Sequence, residues 1–280
     1  MADIRKNSPS AGAAIYLIMA VFTIMAVYPI FWLIIQSFKT TQEYLTTSKL
    51  ALPKIWFSGN YPYAWNMGKF GVLFINSVIY TVLTVIAVVV LGFMAGFAFA
   101  KIKNRLTSFL HGLFIIGILL TIQSIMVPLF LMVNAVGLYD TRLGVLIPYI
   151  GLGLPMGVYL GTEFIKSIPD ALIESAKLDG ARYLRIFFSI IFPMTAPVAM
   201  TVGILTFTGT WNEFMLINIL SSSDSVKSIP VGIGRFSGSL ASDYGKQFSA
   251  LVIGMIPMLL FYFAFRRQIA KGVAAGAVKG

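Results

Sequence analysis

The sequence contains six stretches of at least 19 residues that carry no Asp, Glu, Lys or Arg. A helix needs roughly 20 apolar residues to cross the hydrocarbon core of a bilayer, so each stretch is long enough to span it. The stretches are continuously apolar rather than alternating over about ten residues, which favours helices over barrel strands. We therefore predict an all-α polytopic membrane protein whose six transmembrane helices lie at about 11–36, 72–100, 108–134, 143–164, 186–212 and 247–265.

The composition excludes most soluble classes of protein. Of the 280 residues, 58% are hydrophobic and 11% are charged. In a soluble globular domain about a quarter of the residues are usually charged. The absence of cysteine excludes a disulfide-stapled fold and thiolate metal sites. The net charge of +11 does not indicate nucleic acid, because the basic residues fall singly or in small groups between apolar runs.

The distribution of Lys and Arg predicts the orientation in the membrane. Thirteen of these residues fall on the side of the N-terminus and eight on the other, mostly in two long loops that are poor reporters of orientation. We expect both termini to be cytoplasmic and the first apolar run to be a retained helix, because it is too long for a signal peptide and has no cleavage site. Residues 1–280 then form a single transmembrane domain with a cytoplasmic tail at 266–280.

The connection at 165–185 has more structure than a simple loop requires. Ser167 and Asp170 are spaced like a capping box, with Pro169 in the first turn of a short helix. Gly180 can take the left-handed conformation that ends this helix, and Asp179 can cap the next one. The segment is either a docking element for a partner or an amphipathic helix lying passively on the membrane, and residue chemistry alone leaves the two equally open.

The same segment resembles the EAA loop of bacterial ATP-binding-cassette (ABC) importer permeases. The run from Glu174 to Ala181, followed by Ile190 and Pro193, matches that motif except that Ser175 replaces an alanine. Further motifs resemble the carbohydrate, MalG-like branch of these binding-protein-dependent systems, and they comprise residues 137–141, 211–214, 229–232 and 275–280. Arg266-Arg267 departs from that branch, which often has Gln-Arg there.

The resemblance implies a permease subunit that forms half of a sugar pathway in the bacterial cell membrane. Its expected partners are a second homologous permease, giving a heterodimer, two cytoplasmic ATPases, an extracytoplasmic solute-binding protein and membrane lipid. The chain is not expected to be an enzyme or to bind a cofactor, because ATP and Mg would be held by the ATPases and the sequence lacks a Gly-rich phosphate loop. The residues expected to couple it to the ATPases are Glu174, Ser175, Ala176, Asp179, Gly180, Gly276 and Lys279.

Polar residues at the end of the fifth predicted helix are candidates for the substrate pathway. Aromatic stacking and amide hydrogen bonds suit a sugar, and the group comprises Thr206, Thr210, Trp211, Asn212 and Glu213. Glu213 alternatively lies hydrated at the interface, since a helix from Ile186 has risen about 40 Å by that point. Three glycines spaced by four residues, Gly153, Gly157 and Gly161, predict close helix packing.

Three other classes compete with this interpretation. A secondary transporter or channel usually carries ionisable residues midway through its helices, which the charge-free runs lack. A membrane-embedded enzyme needs paired carboxylates, metal ligands or an activated nucleophile, and His111, the sole histidine, has no carboxylate at ligand spacing. An amino-acid or peptide importer permease differs only in the branch motifs and is the nearest alternative.

Overall fold

The structure of the protein is a computed structural model. It describes residues 9–102, 104–234, 236 and 243–277, and within these ranges residues 9–12, 14 and 269–277 by their backbone alone. This part of the chain is helical and contains no strand. A five-residue π-helix, Phe187–Ile191, lies between the short α-helices Tyr183–Ile186 and Phe192–Met194. The α-helices are α1 (Pro9–Ser37), α2 (Thr41–Thr46), α3 (Asn60–Met67), α4 (Phe70–Lys101), α5 (Arg105–Ile118), α6 (Ile122–Ala135), α7 (Arg142–Lys166), α8 (Asp170–Leu178), α9 (Tyr183–Ile186), α10 (Phe192–Met194), α11 (Ala196–Trp211), α12 (Met215–Leu220), α13 (Ile229–Gly234) and α14 (Tyr244–Ala277).

The predicted fold class is confirmed. Within the described residues, four helices are long and apolar enough to cross a membrane, and two bent helix pairs raise the number of spans to as many as six. The continuous spans are Ile15–Ser37, Phe70–Lys101, Arg142–Lys166 and Tyr244–Gln268, and the bent pairs are α5 with α6 and Tyr183–Met194 with α11. The helix α14 continues to Ala277, so most of the predicted C-terminal tail extends the last helix.

The spans predicted at 108–134 and 186–212 are both bent pairs of helices in the structure. The chain bends by 110° between α5 and α6, near Thr121. It bends by 80° between Tyr183–Met194 and α11, near Thr195. Pro193 and Pro197 flank the second bend, and each lacks the amide hydrogen that a continuous helix would use. The side chain of Thr195 donates to the carbonyl oxygen of Phe192 at 2.7 Å and so occupies a backbone acceptor beside the break.

The chain forms two compact units, of which the first comprises the described residues within Met1–Gly68 and Ile233–Ile256. A buried amide organises it, because the Nδ2 atom of Asn60 donates to the carbonyl oxygens of Ser37 and Lys39, at 2.8 Å each. A Cβ atom at Gly245 would collide with the carbonyl oxygen of Lys39, so the start of α14 requires glycine to approach this closely. Ser249 adds a hydrogen bond to the carbonyl oxygen of Ser37 at 3.2 Å.

The second unit comprises residues 69–232 and 257–280, and close packing of α4 against α7 forms its centre. A Cβ atom on Gly96 would lie 2.9 Å from the backbone nitrogen of Thr162, and one on Gly157 would lie 3.0 Å from Cγ1 of Val88. Larger residues at these positions would force the two helices apart. The predicted packing role of the glycines on α7 is therefore confirmed.

The connection between α6 and α7, which contains the motif at 137–141, clamps the segment that follows α12. Asp140 has a φ of 55°, and its carboxylate accepts four hydrogen bonds from the amides and hydroxyls of Ser222 and Ser223, at 2.9–3.0 Å. Burial pushes the pKa of the Asp140 carboxyl upward, but these hydrogen bonds outweigh it and lower the pKa below its ordinary value. These hydrogen bonds fix Ser222 and Ser223 against the connection between α6 and α7.

Candidate functional site

One face of α8 is buried in the second unit. Ile173 and Ala176 join a core cluster with Phe97, Ile165 and Phe187, which come from α4, α7 and the π-helix. A helix with an apolar stripe on one side is held by burying that stripe. The position of α8 is therefore fixed by side chains of three other elements.

The beginning of α8 is attached to α4 by a buried lysine. The Nζ atom of Lys101 donates to the carbonyl oxygen of Ile168 and to Oδ1 of Asp170, at 2.6 Å each. Asp170 lies in the first turn of α8, where a negative charge is favoured by the helix dipole. Because the side chain of Lys101 is almost completely buried, this ion pair ties α8 to the end of a membrane span.

The predicted capping box of α8 is wrong. The hydroxyl of Ser167 donates to the carbonyl oxygen of Phe164 at 2.7 Å and so belongs to the end of α7. Pro169 occupies the N-cap position, without a side-chain hydrogen bond to the helix. The ion pair of Asp170 with Lys101 holds the helix start instead.

The end of α8 has the left-handed glycine that the sequence predicts. Gly180 has a φ of 78°, its amide donates to the carbonyl oxygen of Lys177, and the amide of Ala181 donates to that of Ala176, at 2.9 Å each. These two hydrogen bonds form a Schellman motif. Asp179 is the C-cap of α8 and does not cap α9, whose N-cap position is Arg182.

The other face of α8 is exposed and combines acidic and apolar side chains. Glu174, Ser175, Asp179 and Gly180 are all exposed, as a docking surface requires. Leu178 lies among them and is 90% exposed, the highest value among the large hydrophobic residues described. We call these five residues the α8 surface.

Ala176 requires a correction. It is only 7% exposed and packs into the core on the side of Ile173, so it contacts its own bundle and is not presented to a partner. The sequence analysis does not include Leu178 in the coupling surface, although helical periodicity indicates that it is exposed. At 3.6 residues per turn, Leu178 lies about 140° around the helix from Ile173. A leucine opposite the buried stripe is an apolar side chain without an internal contact.

Two of the expected coupling residues, Gly276 and Lys279, lie near the C-terminus. The backbone of Gly276 lies in the last turn of α14. Lys279 lies outside the described residues.

The candidate pathway residues lie together at the end of α11 but differ in availability. Thr206 and Thr210 are partly exposed and Asn212 is exposed, with its Nδ2 atom donating to the carbonyl oxygen of Thr208 at 2.9 Å. Trp211 is buried, with its ring stacked parallel to that of Phe207 at 5.8 Å. The indole is therefore packed inside the protein and offers no free face to a sugar.

Glu213 acts as a structural cap in the second unit. Its Oε1 and Oε2 atoms accept hydrogen bonds from the amides of Leu216 and Ile217, at 2.7 and 3.1 Å, at the start of α12. The buried hydroxyl of Tyr149 on α7 donates to Oε2 at 2.7 Å. The carboxylate thus joins α7 to the break between α11 and α12.

A cavity of about 480 Å³ lies among α5, α6 and α7. Every lining residue is apolar or glycine, so no side chain there can donate or accept a hydrogen bond. This chemistry does not suit a sugar, and none of the candidate pathway residues lines the cavity. The described residues also contain no group of three His, Cys, Asp or Glu side chains that could hold a metal ion.

The long apolar helices define a multi-pass membrane protein. Residues 88–274 match the family of binding-protein-dependent transport system inner membrane components. The match covers more than half of the chain, and the chain therefore belongs to this family.

Relatives and a solved structure agree with this assignment. A protein named as an ABC transporter permease in Caldicellulosiruptor is 35% identical, over 95% of this chain and 96% of its own. The diacetylchitobiose uptake system permease of Streptomyces coelicolor is 31% identical, over 100% of this chain and 93% of its own. A bacterial ABC transporter that imports the polysaccharide alginate shares the fold, with a TM-score of 0.81, 20% identity, and coverage of 94% and 98%. The resemblance to ABC importer permeases inferred from the motifs is confirmed.

Proposed function

We propose that the chain is one permease subunit of an ATP-driven importer and forms half of the membrane pathway for a mono- or oligosaccharide. The carbohydrate motifs, among them residues 137–141 and 229–232, support a sugar over an amino acid or peptide. The diacetylchitobiose relative, which aligns along the full length of this chain, supports the same class of substrate. The pathway is completed by a second, homologous permease, and an extracytoplasmic binding protein delivers the sugar.

The α8 surface couples the chain to a cytoplasmic ATPase. The observation that carries this proposal is that α8 has one face fixed in the core by Ile173 and Ala176, while Glu174, Leu178 and Asp179 stay exposed. Leu178 supplies an apolar anchor, and the acidic pair supplies charge complementarity and register. ATP and Mg are bound by the ATPase subunits, and the permease itself catalyses no reaction.

In this scheme the α8 surface and both termini face the cytoplasm, in agreement with the excess of Lys and Arg on that side. Closure of the two ATPases moves α8, and the bundle switches between an inward-open and an outward-open state. The left-handed turn at Gly180 keeps the α8 surface oriented towards the ATPase. Gly276 and Lys279 extend the contact with the ATPases at the end of the chain.

In this subunit, the residues that contact the sugar are Thr206, Thr210 and Asn212. Their hydroxyl and amide groups can form hydrogen bonds with sugar hydroxyls. Trp211 and Glu213 position these polar side chains. Trp211 is buried at the end of α11, where it stacks on Phe207, and Glu213 caps α12. The sugar then follows the polar end of α11 rather than the apolar cavity beside α6.

Cysteine crosslinking tests the coupling proposal directly. The chain has no native cysteine, so Leu178→Cys introduces a single thiol that should crosslink to a co-expressed ATPase subunit. Leu45→Cys, on α2 and also exposed, is the matched control and should not crosslink to it. If the introduced thiol reacts only with reagents anchored in phospholipid, and forms no crosslink to a nucleotide-hydrolysing subunit, then α8 is only a helix on the membrane surface.

Transport into proteoliposomes tests the class of substrate. The reconstituted complex, supplied with its binding protein, should take up labelled sugar in an ATP-dependent manner. Excess unlabelled oligosaccharide should compete, and amino acids or short peptides should not. Competition by peptides alone would assign the chain to the alternative importer class.

A further inference from the structure

The segment between α2 and α3 exposes an unusual number of apolar side chains outside the membrane spans. Leu50 and Ile55 are 74% and 73% exposed, and Leu52 and Trp56 are also exposed. Exposed side chains grouped in this way usually mark a contact with a protein or with lipid. We call residues 50–57 the apolar loop.

Hydrogen bonds hold both ends of the apolar loop at the end of the first membrane span. At one end, the carbonyl oxygen of Lys49 accepts from Nε1 of Trp32 at 2.8 Å and from Nε2 of Gln36 at 3.1 Å. At the other end, the amide of Phe57 donates to the carbonyl oxygen of Phe38 at 2.9 Å. These contacts determine how far the loop can stand from the span.

The contacts place the loop at the depth of the bilayer interface. Trp32 lies five residues before the last residue of α1, which corresponds to about 7.5 Å of helix rise into the span. A loop that is bonded to this side chain lies beside the end of the span rather than beyond it. Trp56 is fixed in the same region, because its ring lies 5.3 Å from that of Phe38.

The surroundings of the loop indicate lipid as the occupant. None of the most apolar window of the α1 span is buried in the protein, and exposed residues such as Phe22 and Phe31 continue the apolar surface along the helix. Lys49 and Lys54 lie at and within the loop, and Glu43 lies beside it, with its Oε1 atom accepting a hydrogen bond from the amide of Lys54 at 2.6 Å. Basic residues beside apolar and aromatic ones are suited to the headgroup region of anionic phospholipid.

We propose that the apolar loop is an interfacial anchor whose Leu50, Leu52, Ile55 and Trp56 side chains insert into the phospholipid leaflet at that end of α1. Lys54 contacts lipid phosphates, whereas the ammonium of Lys49 is bonded to the carbonyl oxygen of Tyr44. The anchor fixes the depth of α1, whose most apolar window is not buried in the protein. This role does not depend on the transported substrate or on the ATPase contact.

Spin labelling of the full chain in nanodiscs of phosphatidylethanolamine and phosphatidylglycerol tests the proposal. Single cysteines are introduced as Leu52→Cys and Ile55→Cys and labelled with a nitroxide, whose collisions with oxygen and with a water-soluble nickel chelate are compared. Phe22→Cys, in the middle of the α1 span, is the lipid reference. Leu178→Cys, on the exposed face of α8, is the aqueous reference, because the nanodiscs contain no ATPase subunit that could cover it.

The proposal expects labels at positions 52 and 55 to collide with oxygen more than with the nickel chelate, as at position 22. A ratio equal to that at position 178 would overturn it, because the loop would then lie in water. Protection from both reagents would also overturn it, because a protein surface would then cover the loop.

A second measurement does not depend on introduced cysteines. Lipids brominated in the upper acyl chain should quench the tryptophan fluorescence of the wild-type chain, and Trp56→Phe should remove a share of this quenching. Trp65→Phe, on α3, is the matched control and should remove less. Equal quenching of the wild-type chain and the Trp56→Phe variant would contradict insertion of the loop.

Discussion

The turn at Gly180 gives the most direct test of how the α8 surface works. Gly180 has a φ of 78°, and a Cβ atom built there would meet nothing within 4 Å. The effect of Gly180→Ala is therefore conformational rather than a clash, and a non-glycine residue in the left-handed region costs roughly 1–2 kcal/mol. This free energy corresponds to a change of about 5- to 30-fold in the ratio of native to non-native turn.

The assay is ATP hydrolysis by the complete complex in proteoliposomes, with and without sugar-loaded binding protein. Gly180→Ala should reduce the stimulation by loaded binding protein severalfold, because the α8 surface is presented for less of the time. Gly180→Asn is the matched variant, since asparagine tolerates the left-handed conformation better than alanine. Its loss of stimulation should be smaller, and the amount of inserted permease should be equal in all three proteins.

Two results would refute this reasoning. Wild-type stimulation in the Gly180→Ala variant would show that coupling does not need the turn. A greater loss in Gly180→Asn than in Gly180→Ala would show that the size of the side chain matters, and that position 180 is a close contact with the ATPase rather than a conformational requirement.

Three further predictions concern the second unit. Gly96→Val should lower the melting temperature in detergent, because overpacking costs about 1–3 kcal/mol, whereas Gly151→Val, where a Cβ atom meets nothing within 4 Å, should not. Glu213→Ala should destabilise the protein by about 1 kcal/mol through loss of a helix cap, and Glu213→Gln by less; an unchanged melting temperature with a raised KM for sugar would instead indicate substrate contact. Since the pKa of Asp140 is lowered from 3.8 in the folded state, its stabilisation is complete above that pH and is lost as the pH falls through the folded value. Thermal melting of Asp140→Asn between pH 3 and 7 should lack this acid-dependent step, and an unaltered pH profile would contradict the assignment.

The sequence predicts those features that depend on local or one-dimensional patterns. Charge-free runs predict the spans, because the bilayer demands length and apolarity in each helix separately. Gly180 is predicted correctly because the end of a short helix before Asp-Gly is determined by backbone sterics. Pro193 and Pro197 flank the bend at Thr195, but a proline in a membrane helix is compatible with close packing as well as with a kink, so the bend is not predicted from the sequence.

The features that were missed depend on distant residues. Ser167 has the spacing of a helix cap, but the last turn of α7 takes its hydroxyl. Glu213 was considered for the pathway, yet its hydrogen bond to Tyr149 joins residues 64 positions apart. The bend at Thr121 has no proline beside it and nothing in the local sequence that predicts it. Pairings of this kind are invisible to periodicity and composition.

The proposed coupling has a structural route through the second unit. Because Ile173 shares one core with Phe97 and Phe187, α8 cannot be displaced without moving α4 and the π-helix. The ion pair between Lys101 and Asp170 adds a second attachment to α4. The π-helix leads through α10 to the bend at Thr195, where Pro193 and Pro197 lack the amide hydrogens of a continuous helix and so lower the resistance to a change of angle. A force on the α8 surface is therefore transmitted to a rigid span on one side and to a hinge on the other, as a switch between two bundle states requires.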